Sequence, residues 1–262
     1  MKKEPTIDTI SLSTKNDVVN ILNNDRIVSI DLQLTPEEEI ARQQLDINVE
    51  SILGNFLFWG KVNDKDLLKN LELYISTIGK NNDKVSKVIS QLIFRIARHI
   101  TRYFGTDYAW IETKTFLSNK TFVVPRWHVD DKFFKPHTAY KLVWAVNGAQ
   151  TRFGITKNLN EFNALTVQEI QAGHGTDENI RVRKSMDSLV DEIHAPQKDT
   201  AVLYRSGGKD PFIHSEPHMD ENRLFIAVVP GTKEEIGEWF ERKRQKDIKK
   251  KVENRRWYFN TL

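Results

Sequence analysis

The stretch that decides the reading is "TFVVPRWHVDD", residues 121–131, in which an apolar run ends on a histidine and an aspartate two positions apart. In a strand, residues i and i+2 point to the same face, so His128 and Asp130 present an imidazole and a carboxylate side by side. These are two of the three donors of a 2-His-1-carboxylate metal site, and a third is then required. The segment "FIHSEPHMDENRLFIAVVP", residues 212–230, offers it. His214 stands at the end of an apolar strand that follows a glycine-rich turn. Arg223 opens the next strand, where its planar fork suits a carboxylate in a way that lysine reproduces poorly. His218 competes with His214, but it follows Glu216-Pro217 in a turn and reads as a solvent-facing loop histidine.

Around these residues the periodicity of the chain changes twice. The segment "TPEEEIARQQLDINVESIL" (35–53) opens with Thr35 as cap and Pro36 as first helical residue, carries carboxylates in its first turn, and predicts a helix over 36–53. "NDKDLLKNLELYISTIG" (63–79), with Gly79 as its stop, and "DKVSKVISQLIFRIARHITRYFG" (83–105) place apolar residues at helical spacing. From Tyr108 the period becomes two, through the quoted stretch and "AYKLVWAV" (139–146). "DTAVLYRSGG" (199–208) and "NRLFIAVVPG" (222–231) read as buried strands closed by glycine turns.

Residues 156–198 form a polar insertion with helices at "LNEFNALTVQEIQAG" and "RKSMDSLVDEIH", a length that usually serves binding, and "GHGTDENIRVRK" within it suits a lid. The tail from Lys233 is a helix by composition. The chain is thus α+β, dividing into a mainly helical region (1–107), a strand-rich core (108–231) and a charged C-terminal helix (232–262).

Composition narrows the chemistry. The 262 residues are 39% hydrophobic, enough for a packed core, and 39 Lys plus Arg against 36 Asp plus Glu create no dominant positive field, so nucleic acid is not an expected partner. The absence of cysteine excludes disulfides and thiolate ligands, leaving nitrogen and oxygen to hold any metal. No signal-peptide pattern and no stretch near the roughly 20 apolar residues of a membrane span are present, so a cytoplasmic protein without a membrane partner is expected.

The ordered set His128-x-Asp130, His214 and then Arg223 nine positions later resembles the Fe(II)/2-oxoglutarate-dependent dioxygenases. "DTAVLYRSGGKDPFIHSEP" (199–217) is similar to the strand and turn that precede the distal ligand in that superfamily. The resemblance covers roughly residues 108–230 and implies a double-stranded β-helix, a jelly-roll relative of the cupins, with helices packed on it. It implies that His128, Asp130 and His214 bind Fe(II) and that Arg223 binds the distal carboxylate of 2-oxoglutarate. The family usually adds a tyrosine or asparagine from an earlier strand, and some branches use a lysine there. Tyr140 and Lys141 are the candidates, with Lys141 as substitute anchor. The implied reaction consumes O2 and 2-oxoglutarate, releases succinate and CO2, and hydroxylates a substrate; the carboxylate of Asp130 favours hydroxylation over halogenation.

A small molecule, such as an amino acid or a natural-product intermediate, is the expected substrate, because no extended basic or aromatic groove is evident. Three other readings stand beside this one: a protein or peptide hydroxylase, a non-catalytic cupin-like binding module whose His128 and Asp130 are surface residues, and a nucleic-acid demethylase that needs the tail. In that tail Trp239, Phe240 and Trp257 lie among lysines and arginines, but interleaved acids favour a solvated helix packed through Ile236, Trp239 and Phe240. Arg126 shares a face with His128 and reaches either an anionic substrate or a salt bridge; Arg205, before Gly207-Gly208, has the same two readings.

Overall fold

The computed structural model describes residues 8–12, 22, 27–48, 55–63, 65–118, 124–130, 140–156, 158–173, 175–206, 212–249 and 257–260. Helix α1 (Pro36–Gln44) starts on a reciprocal cap: the Glu38 amide donates to Thr35 Oγ1 at 3.2 Å, and the Thr35 amide donates to the Glu38 carboxylate at 2.8 Å. The helix ends at Gln44, because Leu45 turns extended and Asp46 is captured by the turn between α2 (Lys65–Thr77) and α3 (Asp83–Tyr103); residues 49–53 of the expected helix lie outside the described residues. There the Asp46 amide donates to Asn81 Oδ1 at 2.8 Å, and its carboxylate accepts from the Lys80 amide at 2.7 Å. Gly79 makes this approach possible, since a Cβ there would lie 2.1 Å from the Asp46 carbonyl oxygen. Helix α2 ends at Thr77, just before Gly79 as expected, and the glycine serves this close packing as well.

The strands are β1 (Asp8–Ser11), β2 (Ile27–Asp31), β3 (Phe56–Lys61), β4 (Tyr108–Phe116), β5 (Arg126–His128), β6 (Tyr140–Asn147), β7 (Phe153–Thr156), β8 (Val190–His194), β9 (Thr200–Arg205), β10 (Ile213–Glu216), β11 (Arg223–Gly231) and β12 (Trp257–Asn260). They form an eight-stranded sheet, β1-β2-β9-β6-β11-β4-β3-β12, and a four-stranded sheet, β5-β10-β7-β8. The eight strands β4 to β11 supply β9-β6-β11-β4 to the large sheet and the whole of the small one, and every pairing among them is antiparallel. That strand order is a double-stranded β-helix, the jelly roll.

Three segments differ from the periodicity reading. The N-terminal third adds β1, β2 and β3 to its helices. Residues 190–194, expected to end a helix, form β8, because the helix caps at Leu189 and the β-branched Val190 and Ile193 suit a sheet. The tail helix α6 (Lys233–Lys249) gives way to β12, whose Trp257, Tyr258 and Phe259 are strong strand formers, and which pairs parallel with β3.

Strand alternation sorts the core into layers. Leu142 and Trp144 of β6 face one way, into a cluster with the apolar stripe of α3, while Val143 faces the other way, into the space between the sheets. The insertion's two helices, α4 (Leu159–Ala172) and α5 (Asp177–Ser188), place Phe162, Val182 and Met186 against Trp127 and Ile213 of the small sheet. The order is therefore α1–α3, large sheet, small sheet, α4–α5. No described helix is long and apolar enough to cross a membrane.

The fully buried stripe of α3 carries much of this packing. Truncating Ile96 to alanine is expected to cost about 2–5 kcal/mol in urea unfolding, whereas Ile40→Ala, at a position 53% exposed on α1, changes it by less than about 0.5 kcal/mol.

Candidate metal centre

Strands β5 and β10 pair so that His128 lies opposite His214, and their imidazole centroids are 4.2 Å apart. Val129, between the two candidate ligands, packs on the α4–α5 side, which leaves His128 and Asp130 together on the inner face. His128 Nδ1 lies 3.1 Å from the Arg126 carbonyl oxygen; donating its proton there leaves the Nε2 lone pair for a ligand bond. Burial, reinforced by His214, pushes His128 down to about 3, so the ring stays neutral, as a metal ligand must be.

Asp130 is held from several sides. Lys141 Nζ donates to both carboxylate oxygens at 2.9 Å, and the Tyr204 hydroxyl donates to Oδ2. Burial alone would raise this carboxyl, but Lys141 and the two imidazoles outweigh it and keep the group well below the usual carboxylate range. His214 Nε2 stands 3.6 Å from Asp130 Oδ1, and its Nδ1 is buried with no hydrogen-bond partner among the described residues. Donor atoms of His128, Asp130 and His214 all fall within 4.8 Å of one another, the spacing a single ion needs.

The same cavity, of about 290 Å³, is lined by Arg223. Its guanidinium is buried, with 1% of the residue exposed, and lies between the rings of Phe225 (4.8 Å to the centroid) and Phe116 (5.7 Å). Nη2 donates to Thr151 Oγ1 at 2.8 Å, while Nε has no hydrogen-bond partner among the described residues. Burial lowers its pKa to about 10, partly countered by Glu216. A cation desolvated to this degree without a paired carboxylate is costly unless an anion completes it. Gly148, at φ +78°, makes room for it, since a Cβ there would sit 2.8 Å from Arg223 Cβ.

The remaining candidates separate by face. Lys141 lines the cavity, but Tyr140, its neighbour on the strand, points to the opposite side and stacks on Phe104 at 4.6 Å, so it is removed from the cofactor set. Arg126 is held in salt bridges to Glu216 (3.0 Å) and Glu169 (3.2 Å), the structural alternative of its two readings. Arg205 ends β9 half-buried and does not line the cavity; its neighbour Tyr204 does the inward work at Asp130. Gly207 and Gly208 lie outside the described residues. His218 is 44% exposed and pairs with Asp220 at 2.6 Å, away from the triad. Sequence reasoning missed Tyr204 and Thr151. Strand alternation from Arg205 pointed to the first, and nothing in the sequence marked the second.

The insertion does not line the cavity. It grips the metal strand from behind: Trp127 Nε1 donates to Asp187 of α5 at 2.6 Å, and Arg126 shares the buried Glu169 of α4 with Arg183 of α5, at 3.2 and 2.8 Å. Since β5 is three residues long and an edge strand, these contacts fix where its ligands point.

No family model matches the chain, and no curated protein matches it. Among solved structures it is similar to a dioxygenase for auxin oxidation in rice (9% identity, TM-score 0.43, covering 85% of this chain and 82% of that one). It is likewise similar to the cobalt(II) complex of the Kdo hydroxylase KdoO, a non-heme Fe(II) alphaketoglutarate dependent dioxygenase (10%, 0.44, 85% and 88%). A third is a prolyl-4-hydroxylase from Pseudomonas putida (14%, 0.36, 82% and 97%). The assignment of the fold rests on the strand order.

If the buried network positions β5, Glu169→Gln should weaken Co(II) binding about tenfold, within the range for groups supporting metal ligands. Arg181→Gln, on the exposed side of the same helix pair, should leave Co(II) affinity unchanged in the same titration.

Proposed function

We propose that the chain is a non-haem Fe(II)/2-oxoglutarate-dependent oxygenase that hydroxylates a small molecule. The observation that carries this reading is the buried Arg223, without a paired carboxylate among the described residues, opening onto the same cavity as His128, Asp130 and His214. The donor set fits the metal: two imidazoles and one carboxylate offer donor atoms within 4.8 Å of one another. His128, Asp130 and His214 would hold Fe(II), and Arg223 with Thr151 would take the distal carboxylate of 2-oxoglutarate.

When bound, the iron with 2-oxoglutarate and O2 supplies the oxidising power: one oxygen atom enters a substrate C–H bond and the other enters succinate, with release of CO2. The protein's residues do the rest. Tyr204 holds Asp130 Oδ2 and leaves Oδ1 turned toward His214. Lys141, which neutralises Asp130 here, is the cation available to the cosubstrate once a metal takes over that charge. The rings of Phe116 and Phe225 keep water from the Arg223 guanidinium and strengthen its hold on an anion.

The non-catalytic module required surface-exposed His128 and Asp130; both are part-buried and converge with the buried His214, which disfavours it. The cavity's size supports a small-molecule substrate over a peptide. The test is Fe(II)-dependent conversion of 2-oxoglutarate to succinate in the presence of amino-acid pools or peptide libraries. Stimulation is expected from the former, with no turnover in Asp130→Ala. In Arg223→Leu the 2-oxoglutarate concentration for half-maximal rate should rise about 100-fold, the loss of a charge-assisted bidentate contact. Succinate formation unchanged by both substitutions would contradict the proposal.

A further inference from the structure

Asp130 lies two residues past the end of β5, and the large sheet reaches across to hold its carboxylate. Lys141 of β6 and Tyr204 of β9 are cross-strand partners in the antiparallel pairing of those strands. The Lys141 ammonium donates to both Asp130 oxygens at 2.9 Å, and the Tyr204 hydroxyl donates to Oδ2. Equal distances put Nζ on the bisector of the carboxylate, where an ion bound through both oxygens would also sit. Oδ1, in turn, is the oxygen that faces His214 Nε2 at 3.6 Å.

An ion held by His128, Asp130 and His214 therefore meets this ammonium. At about 2 Å from an Asp130 oxygen, a first-row divalent ion lies no more than about 5 Å from Nζ. Lys141 is 6% exposed, so solvent screens little of the repulsion between the two. One carboxylate cannot serve as the close counterion of both, and the two imidazoles favour the ion. The two side chains that hold Asp130 differ in their freedom to yield. Tyr204 is buried, with its ring edge-on to Phe153 at 5.1 Å and 5.4 Å from the His214 ring. Lys141 carries its charge on a flexible four-carbon stem and lines the cavity into which it can turn.

We propose, on the oxygenase reading of the site, that Lys141 is an internal stand-in for the metal. Its ammonium neutralises Asp130 in the metal-free protein, competes with the divalent ion for that carboxylate, and swings away when the ion binds, while Tyr204 keeps hold of Oδ2. The residue thereby lowers the affinity of the centre for metal and stabilises the chain that carries none. A group that merely supports a ligand has the opposite effect, since its removal weakens metal binding about 10- to 100-fold.

The experiment is a Co(II) titration of the full-length protein, followed by visible absorption, with thermal unfolding measured in chelator and in excess Co(II). Lys141→Met should bind Co(II) about tenfold or more tighter than the wild type, because no cation has to be displaced. Its Tm in chelator should fall, since a buried carboxylate has lost its counterion, and Co(II) should raise it further than it raises that of the wild type. Lys141→Arg, which keeps a cation beside Asp130, should bind Co(II) more nearly as the wild type does. Co(II) affinity in Lys141→Met that equals the wild type or falls below it overturns the proposal, as does an Arg variant as tight as the Met variant. Should Lys141→Met be unfolded in chelator, recovery of its circular dichroism on adding Co(II) supports the proposal, and no recovery at saturating Co(II) overturns it. No Co(II) binding by the wild type, or equal binding by His214→Ala, would instead sink the metal centre itself, and the proposal with it.

Discussion

The pairing of β5 with β10 is the contact on which the site depends. It sets His128 opposite His214 and, by the two-residue alternation of a strand, brings Asp130 to the same side. A slip of one residue would turn His214 to the outer face and replace it with Ile213 or Ser215. Two features hold the register: β10 is pinned on its other edge by β7, and β5 is gripped from behind by Asp187 and Glu169 of the helical insertion. The insertion, far from being an ornament on the jelly roll, backs the strand that carries two of the three donors.

Buried charge is the second organising theme. Arg183, Glu169, Arg126 and Glu216 alternate in sign from α5 to the cavity wall, and Lys141 meets Asp130 across the space between the sheets. Each of these ions has its counterion, as the cost of desolvation demands. Arg223 departs from that rule, with one hydroxyl for a partner and two aromatic rings for walls. Among the described residues this open guanidinium is what the proposed anion would complete.

How much of this was legible in the sequence follows from range of interaction. The alternation before His128, the distal His214 and the strand-borne Arg223 are local patterns, and local patterns survive without coordinates. The jelly roll followed through resemblance, and the strand order agrees with it. What the sequence hid depends on contacts between distant segments. The early end of α1 requires the Asp46 capture by a turn some 35 residues away. The inward Tyr204 and Thr151 acquire meaning only when β9 and the loop before β7 face Asp130 and Arg223. Tyr140 was misplaced because either face of a fully buried strand looks alike in composition. The tail helix packs through Ile236, Trp239 and Phe240 as its pattern predicted; what the sequence hid is that Trp239 meets Trp59 of β3 and Trp110 of β4.

In the proposed centre His128, Asp130 and His214 bind Fe(II), which then chelates 2-oxoglutarate beside Arg223. The most direct measurement is an anaerobic titration of the apo-protein with Fe(II) and then 2-oxoglutarate, following the weak visible charge-transfer band of a chelated 2-oxoacid in the wild type, His214→Ala and His218→Ala. The account predicts a band in the wild type and His218→Ala and none in His214→Ala; no band in the wild type, or one that survives His214→Ala, would contradict it.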